Sequence, residues 1–326
     1  MKAVLWHYGR LLASSVLLLL IVITILFLLL ELAPGDPIQT LVGDVAVSDE
    51  LRASLTATFG LDKPIGERYL IYLGNTLTGD LGYSFGSQTP VTELIGSRIG
   101  NTIALAIPSF VLSTIGGIVI GSIAARTRKA WLDGILSAGS VALFSTPNFW
   151  LGLMLIMFFS ITLGWLPTQG KSPFGQEGIA IEYMILPVLT MASTELAYKA
   201  RIMRSSMIES LGQDFIDTAR SKGMSSNQVL WRHAFPNALL PMVTVAGYSL
   251  GFILAGSVLV ERVFGWPGMG LLFVQSIERQ DNVTVLGIAI VITVTILIVN
   301  ILTDIVYGLV DPRLRARFTR PVGSNA

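Results

Sequence analysis

The chain contains no cysteine, which excludes a disulfide framework and any thiolate-bound metal. Charge is scarce as well. Only 13% of the 326 residues are charged, about half the roughly 25% of soluble domains. A net charge of +1 leaves no global basic field of the kind that draws nucleic acid. Histidine is limited to His7 and His233, far apart in sequence, and both read as ordinary helix-surface residues rather than a metal pair. No convergent set of His, Asp and Glu is visible, which counts against a membrane enzyme.

What fills the chain instead is apolar sequence, 52% of it. Many runs reach the roughly 20 residues that cross a bilayer as a helix. Six spans are expected, at about Leu11–Leu32, Thr102–Ala125, Leu136–Leu163, Tyr183–Met203, Asn237–Val260 and Val283–Leu309. None shows a single amphipathic stripe, as suits helices surrounded by lipid and by each other. The first apolar run is roughly 22 residues, longer than the ~7–15 of a signal-peptide core. It leads straight into Glu31-Leu32-Ala33-Pro34-Gly35-Asp36-Pro37 with no small-x-small cleavage site, so it is expected to stay as an anchor.

Basic residues set the orientation. With six spans, Lys2, Arg10, Arg126, Arg128, Lys129, Lys199, Arg201, Arg204, Arg220, Lys222, Arg232, Arg313, Arg315, Arg317 and Arg320 fall on one side. Fewer fall on the other side: Arg52, Lys63, Arg68, Arg98, Lys171, Arg262 and Arg279. The rich side is cytoplasmic, so both termini are expected inside and residues 33–100 outside. That outer segment has helix signals. Ser48 can cap a helix with Asp49 and Glu50 in its first turn and Leu51, Leu55 and Phe59 along one face, stopped by Gly60. Pro64 can start a second helix with Ile65, Tyr69, Tyr72 and Leu73 as its apolar face. A small folded cap is therefore expected rather than a solvated linker.

The most informative stretch is Asp214–Pro241, a polar and basic segment between two apolar spans. It is too long to be a mere connector and too short to be a domain. Phe215–Ser221 is expected to form a short helix, ended by Gly223 at positive φ. Ala219 is small enough for a partner to approach closely, and Pro236 can open the fifth span, where its missing N–H costs nothing.

The pattern here resembles the loop that permeases of bacterial ABC importers insert into their ATPase subunits. That family's pattern is Glu-Ala-Ala, three residues, Gly, nine residues, Ile, one residue, Leu-Pro. This chain has Asp217-Thr218-Ala219, then Gly223, His233, Phe235 and Pro236. His233 and Phe235 stand at the apolar positions. Other tracts resemble the dipeptide, oligopeptide and nickel branch of the family, in order along essentially the whole chain. They are Leu32-Ala33-Pro34-Gly35-Asp36-Pro37, Asp80-Leu81-Gly82-Tyr83-Ser84, Pro90-Val91 with Arg98, Val260 through Gly270, and Asp311-Pro312-Arg313.

The resemblance implies an all-α polytopic membrane protein with six transmembrane helices in the type I ABC importer permease fold, with a small external cap after the first helix. The expected division is an anchor at 1–32, a cap at 33–100, a core at 101–310 holding a coupling loop at 205–236, and a cytoplasmic tail at 311–326. The resemblance also implies a second, related permease chain, two ATP-binding subunits and an extracytoplasmic solute-binding protein. Phe215, Asp217, Thr218, Ala219, Gly223, His233 and Pro236 would meet the ATPase. Asp80, Tyr83, Glu261 and Trp266 would meet the binding protein. The implied cargo is short peptides, with nickel chelates, glutathione or opine-like compounds as alternatives, and the place is the bacterial inner membrane. ATP and Mg would be bound by the partner subunits, and no cofactor by this chain.

Inside the spans, Gly117 with Gly121 and Gly247 with Gly251 form small-xxx-small pairs, read as close helix packing within the chain. Phe144-Ser145-Thr146-Pro147-Asn148-Phe149-Trp150 interrupts the third span. Ser145 and Asn148, polar at membrane depth, are candidates for the lining of a pathway. Glu195 and Lys199 are spaced for an i,i+4 pair. An ion-coupled secondary transporter is the alternative reading, but it needs ionisable groups at midplane, and Glu195 and Asp304 fall near the inner ends of their spans.

Gly170-Lys171-Ser172 matches the end of a phosphate-binding loop, but Trp165 stands where that motif needs its first glycine. The chain purified alone is therefore expected to show no ATP turnover. Turnover that persists after stringent removal of contaminating ATPases would contradict this.

Overall fold

The computed structural model describes residues 2–32, 38, 48–58, 62–84, 86–126 and 130–310. The Ala33–Pro37 tract, Phe59, Gly60, Arg128, Lys129 and the 311–326 tail lie outside them. Among the described residues the regular structure is helical except for one two-stranded hairpin. It divides into two compact units: Tyr8–Thr102 with Pro267–Leu297, and Met1–His7 with Ile103–Trp266 and Ile298–Ala326.

In the first of these, helix α1 (Lys2–Glu31) is an almost unbroken apolar run whose Leu12, Leu17 and Leu29 are exposed, as a lipid-facing surface requires. Helices α2 (Asp49–Thr58) and α3 (Ile65–Thr78) follow. Ser48 caps α2 as expected, its Oγ accepting from the Leu51 N–H at 3.2 Å. Leu55 is buried, whereas Leu51 is exposed, so the apolar face of α2 is narrower than the sequence suggests. Pro64 stands at the N-cap of α3. That helix packs on α1 through Tyr69 and Tyr72, whose rings lie 5.4 and 5.6 Å from that of the buried Phe27. Thr24 and Tyr69 share a hydrogen bond of 2.8 Å, and Arg68 donates to Glu31 at 2.7 Å. Ile65, expected on the same face, is exposed instead.

The chain then turns at Gly79 and Gly82, both at positive φ, into an antiparallel hairpin of β1 (Tyr83–Ser84) and β2 (Thr89–Pro90). Two anchors hold the hairpin. Ser84 Oγ donates to Asp281 Oδ2 at 2.6 Å, and the same carboxylate accepts from the Thr284 hydroxyl and N–H. Asp281 thus caps α12 (Asn282–Val310) while it holds β1. Val91 and Ile95, on the first turns of α4 (Val91–Arg126), bury against Ile288 of α12 and against Met269 and Leu272 of α11 (Met269–Glu278).

The other unit is built around α7 (Ile181–Leu211) and α10 (Phe235–Val263). Its core holds Leu105, Leu186, Met191, Ile253, Val260, Phe264 and Trp266. Ser109, Ser113, Gly117 and Gly121 recur every four residues along α4 and are all buried. They let α7 approach closely. A Cβ on Gly117 would lie 2.6 Å from Lys199 Cβ, and one on Gly121 would lie 2.5 Å from the Ala200 carbonyl oxygen. Gly247 likewise has no room for a Cβ beside Thr303 of α12. Gly117, Gly121 and Gly247 therefore serve packing within the chain, as expected.

By length and composition, three described helices can cross a membrane: Gly9–Glu31, Val91–Arg126 and Asn282–Ile305. A bent pair makes a fourth if counted as one span. That pair covers the expected third span, which the Phe144–Trp150 tract interrupts as its proline suggests. Leu136–Leu163 is not one straight helix but α5 (Ala130–Ser145) and α6 (Asn148–Leu155), the latter continued by a π-helical stretch at Ile156–Thr162. The two parts meet at 101°. Pro147 is the cause, since its ring and missing N–H stop the ladder of α5 and leave it in extended backbone as the N-cap of α6.

Gly121→Val tests the α4–α7 contact. The added side chain meets backbone atoms that cannot rotate away, so a loss of about 1–3 kcal/mol is expected, read as a lower thermal midpoint in detergent. Gly100→Ala, where nothing lies within 4 Å, should not lower the midpoint, since alanine favours a helix interior over glycine.

Candidate functional site: the loop between α7 and α10

Between Leu211 and Phe235 the chain forms a compact element rather than a connector. Helix α8 (Asp214–Ser221) comes first, with Asp214 and Asp217 in its first turn and Arg220 in its last. That distribution favours the helix macrodipole at both ends. Ile216 and Ala219, three residues apart, face inward onto Val229 and Ala234. Phe215, Asp217, Thr218 and Arg220 face outward. The expectation that Ala219 offers its small side chain to a partner is corrected, because it is only 5% exposed and is spent on packing inside the loop.

The end of α8 is a Schellman motif. The Gly223 N–H donates to Arg220 O at 2.9 Å and the Met224 N–H to Ala219 O at 3.4 Å. Met224 adds the apolar contact of that motif by packing on the Ile216 cluster. Gly223 has φ of +79°, as the sequence suggests, and nothing lies within 4 Å of where a Cβ would be. Its requirement for glycine is therefore one of backbone conformation alone.

The next residues start a new helix with a reciprocal cap. Ser225 Oγ accepts from the Gln228 N–H, and Gln228 Oε1 accepts from the Ser225 N–H at 3.0 Å. This is a capping box, and Ser225-Ser226-Asn227-Gln228 carries its sequence signature. Helix α9 (Ser226–Val229) passes through a π-helical stretch, Leu230–Ala234, directly into α10. Pro236 stands in the first turn of α10, as expected from sequence, although helical backbone already precedes it. It sits just past a π turn within continuous helical backbone, where the ladder is already changing register. The His233 carbonyl beside it accepts from Asn237 Nδ2 at 2.7 Å.

The loop is fastened to the helices on either side. Met203 and Met207 of α7, Leu230 of the π turn, and Ala238 and Met242 of α10 form one buried cluster that Leu211 and Phe235 flank. On the outer surface Phe215 is 39% and Trp231 48% exposed, with Trp231 against Phe235 at 5.0 Å between ring centres. Trp231 was missed in the sequence, where one aromatic among basic residues gives no signal of its face. Exposed aromatics beside mobile charges are the composition of a contact surface.

The other candidate residues lie elsewhere. Ser145 is exposed at the end of α5, and Asn148 is half-buried across the Pro147 break. Asn148 Oδ1 accepts from Thr194 of α7, so this polar group meets a neighbouring helix. Asp80 is exposed and accepts from the Gly82 N–H, while Tyr83 is 38% exposed on β1. Glu261 and Trp266 are fully buried, which corrects the expectation that they touch a partner directly. The Glu195–Lys199 pair is present at 3.8 Å.

Residues 117–316 match the family described as binding-protein-dependent transport system inner membrane component, and residues 5–106 match its N-terminal membrane component. Oligopeptide transport system permease protein AppB of Bacillus subtilis is 38% identical over 301 residues, covering 91% of this chain and 95% of AppB. Dipeptide transport system permease protein DppB of Escherichia coli K12 is 36% identical over 313 residues, covering 89% of this chain and 92% of DppB. A solved inward-facing structure of the MetNI methionine ABC transporter shares the fold. Its TM-score is 0.56 at 19% identity, over 67% of this chain and 96% of that one. The chain thus belongs to the binding-protein-dependent transport system inner membrane components: it is a multi-pass permease subunit of such an ABC transporter, not a catalyst.

Proposed function

We propose that the chain moves short peptides inward, as half of a translocation path driven by ATP hydrolysis in separate subunits. The relatives named above carry peptide transport in their names at close to full-length coverage, and this supports peptides over nickel chelates or glutathione. In this reading a second, related permease completes the path, two ATP-binding subunits sit on the cytoplasmic side, and an extracytoplasmic binding protein delivers the peptide. The permease has six spans, with α7 and α10 as the fourth and fifth and the α5–α6 pair as the third. Both termini are cytoplasmic. The anchor is 1–32, the external cap 33–100 and the core 101–310.

The observation that carries the mechanism is the construction of the 214–236 loop. Its outer face bears Phe215, Asp217, Thr218 and Trp231, and its inner face is packed onto α7 and α10. A push on the outer face therefore moves two long helices together. Closure of the ATPases would shift this element, and the permease pair would rock between inward- and outward-open packings. Gly223, His233 and Pro236 shape the surface rather than supply chemistry. Ala219 acts through the packing of α8. Ser145 and Asn148 line the path near the Pro147 break. Asp80 and Tyr83 meet the binding protein on the cap, while Glu261 and Trp266 act on docking only by holding their own loop in shape.

Gly223→Val and Asp217→Lys test the coupling role. Valine at φ near +79° costs roughly 1–2 kcal/mol and shifts the end of α8, while lysine reverses a charge on an open surface. Near-normal membrane levels are expected, with uptake and ATPase stimulation sharply reduced in both. Parental transport by both variants would remove the loop from the coupling mechanism. Orientation has its own test. Single cysteines at Ser48 and Ser226, both exposed, should react with an impermeant reagent only from outside and only from inside, respectively.

A further inference from the structure

A groove that plays no part in the coupling loop runs along α7. Two adjoining cavities of about 310 Å³ each share Ser140, Val141 and Arg201. One adds Arg204 and Ser205 from α7, and the other adds Phe144 from α5 and Tyr198 from α7. The α7 residues are spaced 198, 201, 204 and 205, so they share a face. The groove is amphipathic along its length. Its Arg201–Arg204 end carries two guanidiniums and two hydroxyls, and among the described residues no carboxylate lines either cavity. The other end is apolar, with the Phe144 and Tyr198 rings stacked 5.8 Å apart. Arg201 is exposed and makes no ion pair or hydrogen bond with the described residues.

We infer that this groove binds an anionic phospholipid, with the phosphate at Arg201 and Arg204 and an acyl chain along Val141, Phe144 and Tyr198. A guanidinium pair fits a phosphate oxygen pair, and a net-anionic headgroup is preferred because phosphatidylcholine adds to the same phosphate a quaternary ammonium that two guanidiniums repel. A free anion would use only the charged end and leave the exposed apolar end without a partner. An acyl chain covers it. Basic pockets between membrane helices on the cytoplasmic side are suited to such headgroups. The inference rests on the orientation proposed above, which puts the arginine end of α7 at the inner surface. The cysteine labelling reports that orientation separately, so a failure here with normal labelling overturns the lipid site alone.

The test uses the assembled transporter, stripped of lipid in neutral detergent. It is offered phosphatidylglycerol vesicles, phosphatidylcholine vesicles, inorganic phosphate or a tripeptide, and retained lipid is counted by native mass spectrometry. Phosphatidylglycerol should be retained and phosphatidylcholine not. Arg201→Ala with Arg204→Ala should weaken retention about thirtyfold, from roughly fivefold per arginine near an anionic surface, and Arg201→Lys should keep most of it. A photoreactive phosphatidylglycerol, which needs no variant, should label the peptides around 140–144 and 197–205. Equal retention by parent and double variant, or labelling confined to other peptides, would overturn the site. Saturation by phosphate alone would make it a soluble-anion site, and displacement by the tripeptide would make it part of the solute path; either result refutes the lipid assignment.

Discussion

The contact between α4 and α7 is the constraint on which the rest of its unit depends. Lys199 is fully buried there, and an ammonium taken out of water costs several kcal/mol unless its donors are met. The structure meets them. Lys199 Nζ donates to Ser113 Oγ at 2.8 Å and to Thr114 Oγ1 at 3.1 Å, lies 5.0 Å from the centre of the Phe110 ring, and has Glu195 at 3.8 Å. The α4 partners, Phe110, Ser113 and Thr114, sit within reach because Gly117 and Gly121 leave no side chain between the helices, while Glu195 is one turn away on α7 itself. The small residues and the buried charge therefore depend on one another. Without close approach the ammonium loses its hydroxyls, and without the hydroxyls a lysine at that depth would hold the helices apart.

From this fixed contact α7 runs without interruption to Leu211, and α8 begins three residues later. The path from membrane to loop contains a single joint at Gly212-Gln213 and is braced beside it by the Met203–Met207–Leu230 cluster. On the far side the π turn delivers the chain into α10 with no gap in helical backbone. The freedom of the element is concentrated at Gly223-Met224-Ser225. Even there the Schellman end of one helix and the capping box of the next satisfy the backbone on both sides. Stiffness of this kind transmits displacement instead of absorbing it.

Much of this was legible in the sequence because local rules govern it. Apolar length marks the spans, and Ser48 and Pro64 mark helix starts by their own hydrogen-bonding limits. Gly223 marks a left-handed residue because the helix before it has to end. The misreadings share a cause too. Ala219 was assigned to a partner and Glu261 and Trp266 to a docking surface, yet all three are buried. Which face of an eight-residue helix turns inward is decided by Val229 and Ala234, which arrive later in the chain, and composition does not reveal that. Pro147 announced a break, but the 101° between α5 and α6 is set by what each half packs against. Pro236 looked like a helix start because a proline at the first turn is cheap. It does stand in the first turn of α10, and the capping box eleven residues before it starts the helical run that the π turn carries into α10.

The two prolines show how one residue type gives opposite results. At Pro147 the preceding helix has no alternative ladder, so the chain leaves helical backbone and turns sharply. At Pro236 the π turn has already shifted the hydrogen bonds from i−4 toward i−5, as the Phe235 N–H donating to Leu230 O shows. The missing N–H then falls where the register is changing, and Asn237 supplies a side-chain donor to the His233 carbonyl. The first proline uncouples two halves of an apolar segment. The second is absorbed, so that the loop and α10 remain mechanically continuous. Between the loop and α10 the helical backbone runs on without a break.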